Sequence, residues 1–343
     1  MPESSLIILI VIIVLAVGFA ISNGFNDAAN AIATVIGTRS LSPRKAIIMA
    51  AVMDLAGAAT GTAVAITFGK GILTQEVIAE FSYLPVIASL ASVIIWAVTA
   101  TLMGLPVSIS HGFVAGLAAA GMALAGPSAV LWGWSSKFAS TLMAVVTAPA
   151  IGFASGFILM VILSWVFRRS APDRTRMLFS RLQWFSSAFV AYSHGKNDGQ
   201  MPIGVITLAL VIYTGKPELW EQLPYGSLWW VVVLSAASIS LGTAFGGWRV
   251  IKTMGTKITT LRPIHGFAAQ ASAAAVIEMA SHFGIPVSTT HCTASSIMGV
   301  GATRRLSAVR WGVAGNIVTA WILTFPICGS LGYLFACILK LAF

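Results

Sequence analysis

Asn23, Asn26, Asp27 and Asn30 fall at i, i+3, i+4 and i+7 within an otherwise apolar stretch. On a helix they form one polar stripe. His194, Asn197 and Asp198 repeat the spacing of the first three. A carboxylate in hydrocarbon costs at least roughly 2.5–3.5 kcal/mol on insertion scales, so Asp27 and Asp198 each call for a partner, an aqueous cavity or a cation. The structural alternative is that they bond neighbouring amides and lock helices together. Two related stripes with the same carboxylate favour a site.

A second pair of elements offers donors. Pro106 with Ser108 and Ser110, and Pro286 with Ser288, Thr289 and Thr290, each precede an apolar, small-residue stretch. Proline ends a preceding helix, and hydroxyls beside a fresh helix start stand next to free N–H groups and a positive dipole end. An oxyanion suits that place. Ordinary N-capping at a loop is the alternative for either copy alone.

His111 and His291 close these two motifs, and His194 lies inside the second stripe. A histidine among apolar residues is usually a hydrogen-bonded structural residue, but one that titrates near neutrality is also a candidate for proton coupling. Asp54 and Glu278 are further carboxylates within apolar segments. They are expected around the site rather than in it, the alternative being a local donor such as Arg262 or His282. Lys196 either meets an anion or snorkels outward.

These residues must be held by elements that the composition places in a membrane. Of 343 residues, 57% are hydrophobic and 9% charged, against about 25% charged in a soluble domain. Ten apolar stretches recur, at about 5–37, 43–69, 83–103, 106–126, 137–167, 182–214, 227–248, 258–282, 286–302 and 311–340. The expected fold is an all-α polytopic membrane protein. The first stretch lacks a basic leader and runs on into Asn26 and Asp27, so it reads as a mature segment.

The net charge of +10 does not indicate nucleic acid, because 15 of the 20 Lys and Arg residues sit in alternate loops. They lie around Arg39 to Lys45, Arg168 to Arg181, Arg249 to Arg262 and Arg304 to Arg310, while Glu76, Glu80, Glu218 and Glu221 occupy other loops. Basic loops stay in the cytoplasm, which places the N-terminus outside and makes the two halves antiparallel. Three cysteines inside apolar segments, Cys292, Cys328 and Cys337, offer no disulfide framework or zinc site.

The sequence repeats in step with that count. SNGFNDAANAIA at 22–33 aligns without gaps to SHGKNDGQMPIG at 193–204, and GLPVSISH at 104–111 to GIPVSTTH at 284–291. Residues 1–167 and 182–343 are thus expected to be two inverted-topology repeats of about five segments each, joined by a basic cytoplasmic linker at 168–181. Broken or re-entrant hairpin helices are expected at the Pro-Val-Ser motifs, with the site near the midplane. A membrane enzyme would need an activated nucleophile, and the adjacent Ser110 and His111 point about 100° apart on a helix. A passive anion channel would not need buried carboxylates.

GFNDAANAIAT at 24–34, SHGKNDGQ at 193–200, and the paired PVSISH and PVSTTH resemble the signatures of the inorganic phosphate transporter (PiT) family, over nearly the whole chain. The resemblance implies import of phosphate coupled to protons or sodium, without a further cofactor, by a homodimer in the cell membrane. It places Asn26, Asp27, Asn30, Asn197 and Asp198 at the ion and substrate centre, and has Ser108, Ser110, Ser288, Thr289 and Thr290 cradle the anion. Asn26, Asn197 and Gln200 are then substrate residues, while Asp27, Asp198, Asn23 and Asn30 serve the coupling ion, with sodium an option at Asp27 and Asp198. Phe25 and Ala28 depart from the common pattern, as do Gln200 and Met201 and the absence of a long central hydrophilic loop. The last two features resemble the prokaryotic, proton-coupled branch, some relatives of which carry sulfate instead.

Overall fold

The computed structural model describes residues 6–61, 64–66, 71–133, 136–223, 226–283 and 287–342. The expected helix breaker Pro286 lies outside the described residues, as does part of the expected stretch 43–69.

Helices carry the described chain from end to end. In order they are α1 (Leu6–Gly37), α2 (Pro43–Ala58), α3 (Gln75–Phe81), α4 (Leu84–Met103), α5 (Ile109–Ala125), α6 (Lys137–Val166), α7 (Pro172–Asp198), α8 (Gln200–Thr214), α9 (Trp229–Phe245), α10 (Trp248–Lys252), α11 (Pro263–His282), α12 (Thr289–Ala302) and α13 (Trp311–Ala342). Four are long and apolar enough to cross a bilayer: α1, α4, α6 and α13. Helix α9 with the helical turns at 248–257, bent by 62°, passes the same test as a pair, as a broken span or a re-entrant segment.

The remaining expected segments depart from simple spans for physical reasons. Helix α2 carries Arg44, Lys45 and Asp54. Helix α7 starts about ten residues earlier than expected, because much of the basic linker is helical, with Pro172 in its first turn and Asp173 beside it. Helices α5 and α12 have 17 and 14 residues. At 1.5 Å per residue, α12 reaches about 21 Å, short of the roughly 30 Å hydrocarbon core.

The helices pack in exchanged pairs. Helix α1 lies on α9 as α7 lies on α2; α5 lies on α13 as α12 lies on α6; and α4 meets α5 as α11 meets α12. Lipid offers no hydrophobic drive between helices, so close approach through small residues has to hold them. A β-carbon on Gly24 would fall 2.1 Å from the Ile239 carbonyl oxygen, and one on Gly195 would fall 2.2 Å from that of Asp54. Only glycine permits these two crossings.

Apolar side chains cover the outside as well as the core, and many polar ones are buried. Ile7, Val14, Val146, Ile158, Ile322 and Leu341 are exposed, whereas Asn23, Asn26, Gln183, His194 and Thr290 are buried. The polar residues fill the centre, and the chain is a multi-pass membrane protein.

Candidate functional site

Each Pro-Val-Ser motif starts a helix in the way its hydroxyls anticipate. Ser108 caps α5 by accepting from the His111 N–H at 3.3 Å, and Ser288 caps α12 by accepting from the His291 N–H at 3.1 Å. Ahead of the first, Gly104 ends α4 with φ 76°, and the bonds Leu105 N–H to Ala100 O and Gly104 N–H to Thr101 O close a left-handed cap.

The Asn-Asp asparagines secure these turns. Asn26 donates to Thr101 Oγ1 at 2.8 Å and to Leu105 O at 3.2 Å, and accepts from Val107 N–H at 3.2 Å. Asn197 donates to Val287 O at 2.8 Å and accepts from Ser281 at 3.3 Å. Thr101 and Ser281 stand at equal offsets in the two motifs. Asn26 therefore ties down the turn between α4 and α5, and Asn197 links the end of α11 to Val287 ahead of α12.

The carboxylates converge on the start of α12. Thr290 donates to Asp27 Oδ1 at 2.9 Å, and the Thr289 hydroxyl lies 2.8 Å from Asp198 Oδ2 and 3.3 Å from Asp27 Oδ2. Asn30 donates to both threonines, at 3.3 and 3.0 Å. Two hydroxyl protons thus serve two carboxylates, Thr289 to Asp198 and Thr290 to Asp27. Asp27, Asp198, Thr289 and Thr290 are each 3% exposed or less.

His194 brings a third carboxylate into the cluster. Its Nδ1 lies 2.8 Å from Asp54 Oδ1, and its Nε2 lies 3.2 Å from Asp198 Oδ2 and 3.8 Å from Asp27 Oδ2. Thr243 donates to the other Asp54 oxygen. One ligand atom each from Asp27, His194 and Asp198 lie within 4.8 Å of one another, a set able to hold a cation. Asn23, at the position matching His194, is fully buried, and neither atom of its carboxamide has a hydrogen-bond partner among the described residues.

Asp54 takes His194 and Thr243, and Glu278 takes Lys196 with Ser193 at 3.5 Å; the alternative of a local donor, Arg262 or His282, is not what these carboxylates adopt among the described residues. Lys196 is accordingly committed to a carboxylate. Gln200 accepts from the Val64 and Ala65 N–H groups at 2.9 and 3.3 Å and donates to Lys196 O, so its amide ties α8 to 64–66.

The first motif lies beside the second through its histidine. The rings of His111 and His291 meet edge to face at 5.0 Å, His291 packs on Trp321 at 4.0 Å, and His111 on Phe325 at 5.5 Å. Ser108 and Ser110 face each other at 3.1 Å. The structure thus gathers Asp27, Asp198, Asn30, His194, Thr289 and Thr290 directly, with Ser108 and Ser110 at the start of α5 and Ser288 at the start of α12. Sequence reasoning missed Thr101, Ser281, Thr243 and the packing role of Gly24 and Gly195. Equal offsets in the paired motifs were the available signal for all but Thr243.

Residues 23–332 match the model of a family described as the phosphate transporter family. A protein of Rhizobium meliloti (strain 1021) named "Probable low-affinity inorganic phosphate transporter" is 41% identical over 93% of this chain and 92% of its own. A protein of Bacillus subtilis (strain 168) with the same name is 38% identical over 98% and 99%. Among solved structures, one named "The sodium-dependent phosphate transporter" superposes with a TM-score of 0.82 at 27% identity, over 98% of this chain and all of that one.

Proposed function

The chain belongs to the phosphate transporter family, and from that premise we propose that it is a secondary active transporter importing inorganic phosphate together with a cation, by alternating access. The observation that carries this reading is the junction of Thr289 and Thr290 with Asp27 and Asp198, which brings both Asn-Asp motifs to the start of one short helix. Anion donors and cation acceptors adjoin there, so each ion offsets the other's desolvation.

The aspartates, with the buried carboxamides of Asn23 and Asn30, hold the cation, which is sodium or a proton. The hydroxyls and the amide ends of α5 and α12 receive phosphate after the threonines release their carboxylates. The exchanged helix pairing supports two inverted repeats, and the burial of the cluster supports a closed stage of the cycle. The protein works in the cell membrane as a homodimer, with its N-terminus outside.

The test is uptake of labelled phosphate into liposomes holding the purified protein, with sodium, proton and no gradient, and with sulfate as competitor. Accumulation driven by one gradient is expected. Failure of both anions to accumulate under either gradient would falsify symport.

A further inference from the structure

Beyond the buried cluster, one cavity gathers four arginines. Arg262, Arg304, Arg305 and Arg310 line a space of about 680 Å³ together with Thr260 and Ser307, and no carboxylate among the described residues lines it. The start of α11 lies beside Arg262 and the start of α13 beside Arg310, so two helix N-termini, of 20 and 32 residues, border the same basin.

One wall is anchored by hydrogen bonds. Arg310 Nη1 donates to Thr256 O at 2.9 Å and Lys257 O at 3.2 Å, its N–H donates to Ile258 O at 2.9 Å, and Thr259 donates to Ala308 O at 2.9 Å. Arg304 and Arg305 enter no ion pair or side-chain hydrogen bond among the described residues. Arginine in cytoplasmic loops follows from membrane topology. Topology does not require the guanidiniums to converge on one concave, acid-free space. Their planar forks match phosphate oxygens, and helix N-termini add to the same field.

We propose that this basin binds a phosphate-bearing anion larger than orthophosphate, either a soluble polyphosphate or the headgroup of an anionic phospholipid. It is a second site, distinct from the buried cluster: Arg304 and Arg305 follow the far end of α12, about 20 Å of helix from Thr289. The inference does not rest on the transport reading.

The test has two arms, each run on the purified full chain and on R304Q/R305Q, R262Q and D27N. In one, inorganic pyrophosphate is titrated calorimetrically into protein in detergent. In the other, native mass spectrometry counts phosphatidic acid retained by protein from nanodiscs of phosphatidylcholine with phosphatidic acid. At least about tenfold weaker binding by R304Q/R305Q and by R262Q is expected in one arm, as loss of charged hydrogen bonds requires; that arm identifies the source. D27N is expected to bind as the wild type does, which separates the basin from the buried site. These arginines are exposed, and melting temperatures report folding. Binding by both arginine variants equal to wild type in both arms overturns the proposal, as does loss of the same binding in D27N.

Discussion

The Thr289 hydroxyl lies 2.8 Å from Oδ2 of Asp198, joining the start of α12 to the second Asn-Asp motif. Thr289→Val removes one donor from a buried carboxylate that keeps Asn197 at 3.0 Å and His194 at 3.2 Å, at about 1–3 kcal/mol. Phosphate uptake into liposomes should fall about tenfold or more, and Thr289→Ser should restore most of it. Wild-type uptake by the valine variant would remove the hydroxyl from the site.

Asp27→Asn and Asp198→Asn each retain shape but lose one negative charge from the cluster. Gradient-driven accumulation of phosphate should disappear in both variants, while size-exclusion profiles stay those of the wild type. Undiminished accumulation in both would return these residues to a locking role between helices.

The crossing of α1 and α9 yields a test with an internal control. Gly24→Ala sets a methyl carbon 2.1 Å from the Ile239 carbonyl oxygen, whereas a β-carbon on Gly315 meets nothing within 4 Å. Overpacking against backbone should cost about 1–3 kcal/mol or more, read as a lower melting temperature in detergent. Gly315→Ala should hold or raise that temperature, by up to about 1 kcal/mol of helix propensity.

Lys196 and Glu278 retain 21% and 29% side-chain exposure. Breaking the pair should cost between the roughly 0–1 kcal/mol of an exposed pair and the 3–5 kcal/mol of a buried one. Lys196→Met alone should therefore lower folded yield more than Lys196→Met with Glu278→Gln. Equal yields would show that the two charges do not depend on each other.

Much of this arrangement is legible in the sequence, because polar residues in an apolar chain stand out and because each motif occurs twice. The two stripes and the hydroxyl-bearing helix starts declare Asp27, Asp198, Thr289 and Thr290. Partner choice is not legible. Asp54 reaches His194 across 140 positions, and Glu278 reaches Lys196 across 82; neither distance has a local signature. Nor does polarity reveal that Asn26 and Asn197 bond residues beside the starts of α5 and α12, or that Gln200 spends its amide on 64–65, since an amide reads alike whether it holds a ligand or a loop. Glycines that set helix crossings look like any small residue until the facing carbonyl is located.

The edge-to-face contact of His111 with His291 is ring against ring. Around it, the threonines, aspartates and asparagines are cross-linked by directional bonds that must be broken or exchanged before their owners part. Two aromatic edges resist separation only through dispersion and a weak quadrupole preference, and they slide without a preferred donor. The starts of α5 and α12 consequently meet at a joint that has no directional bond between its two imidazoles, bordered by the rings of Trp321 and Phe325.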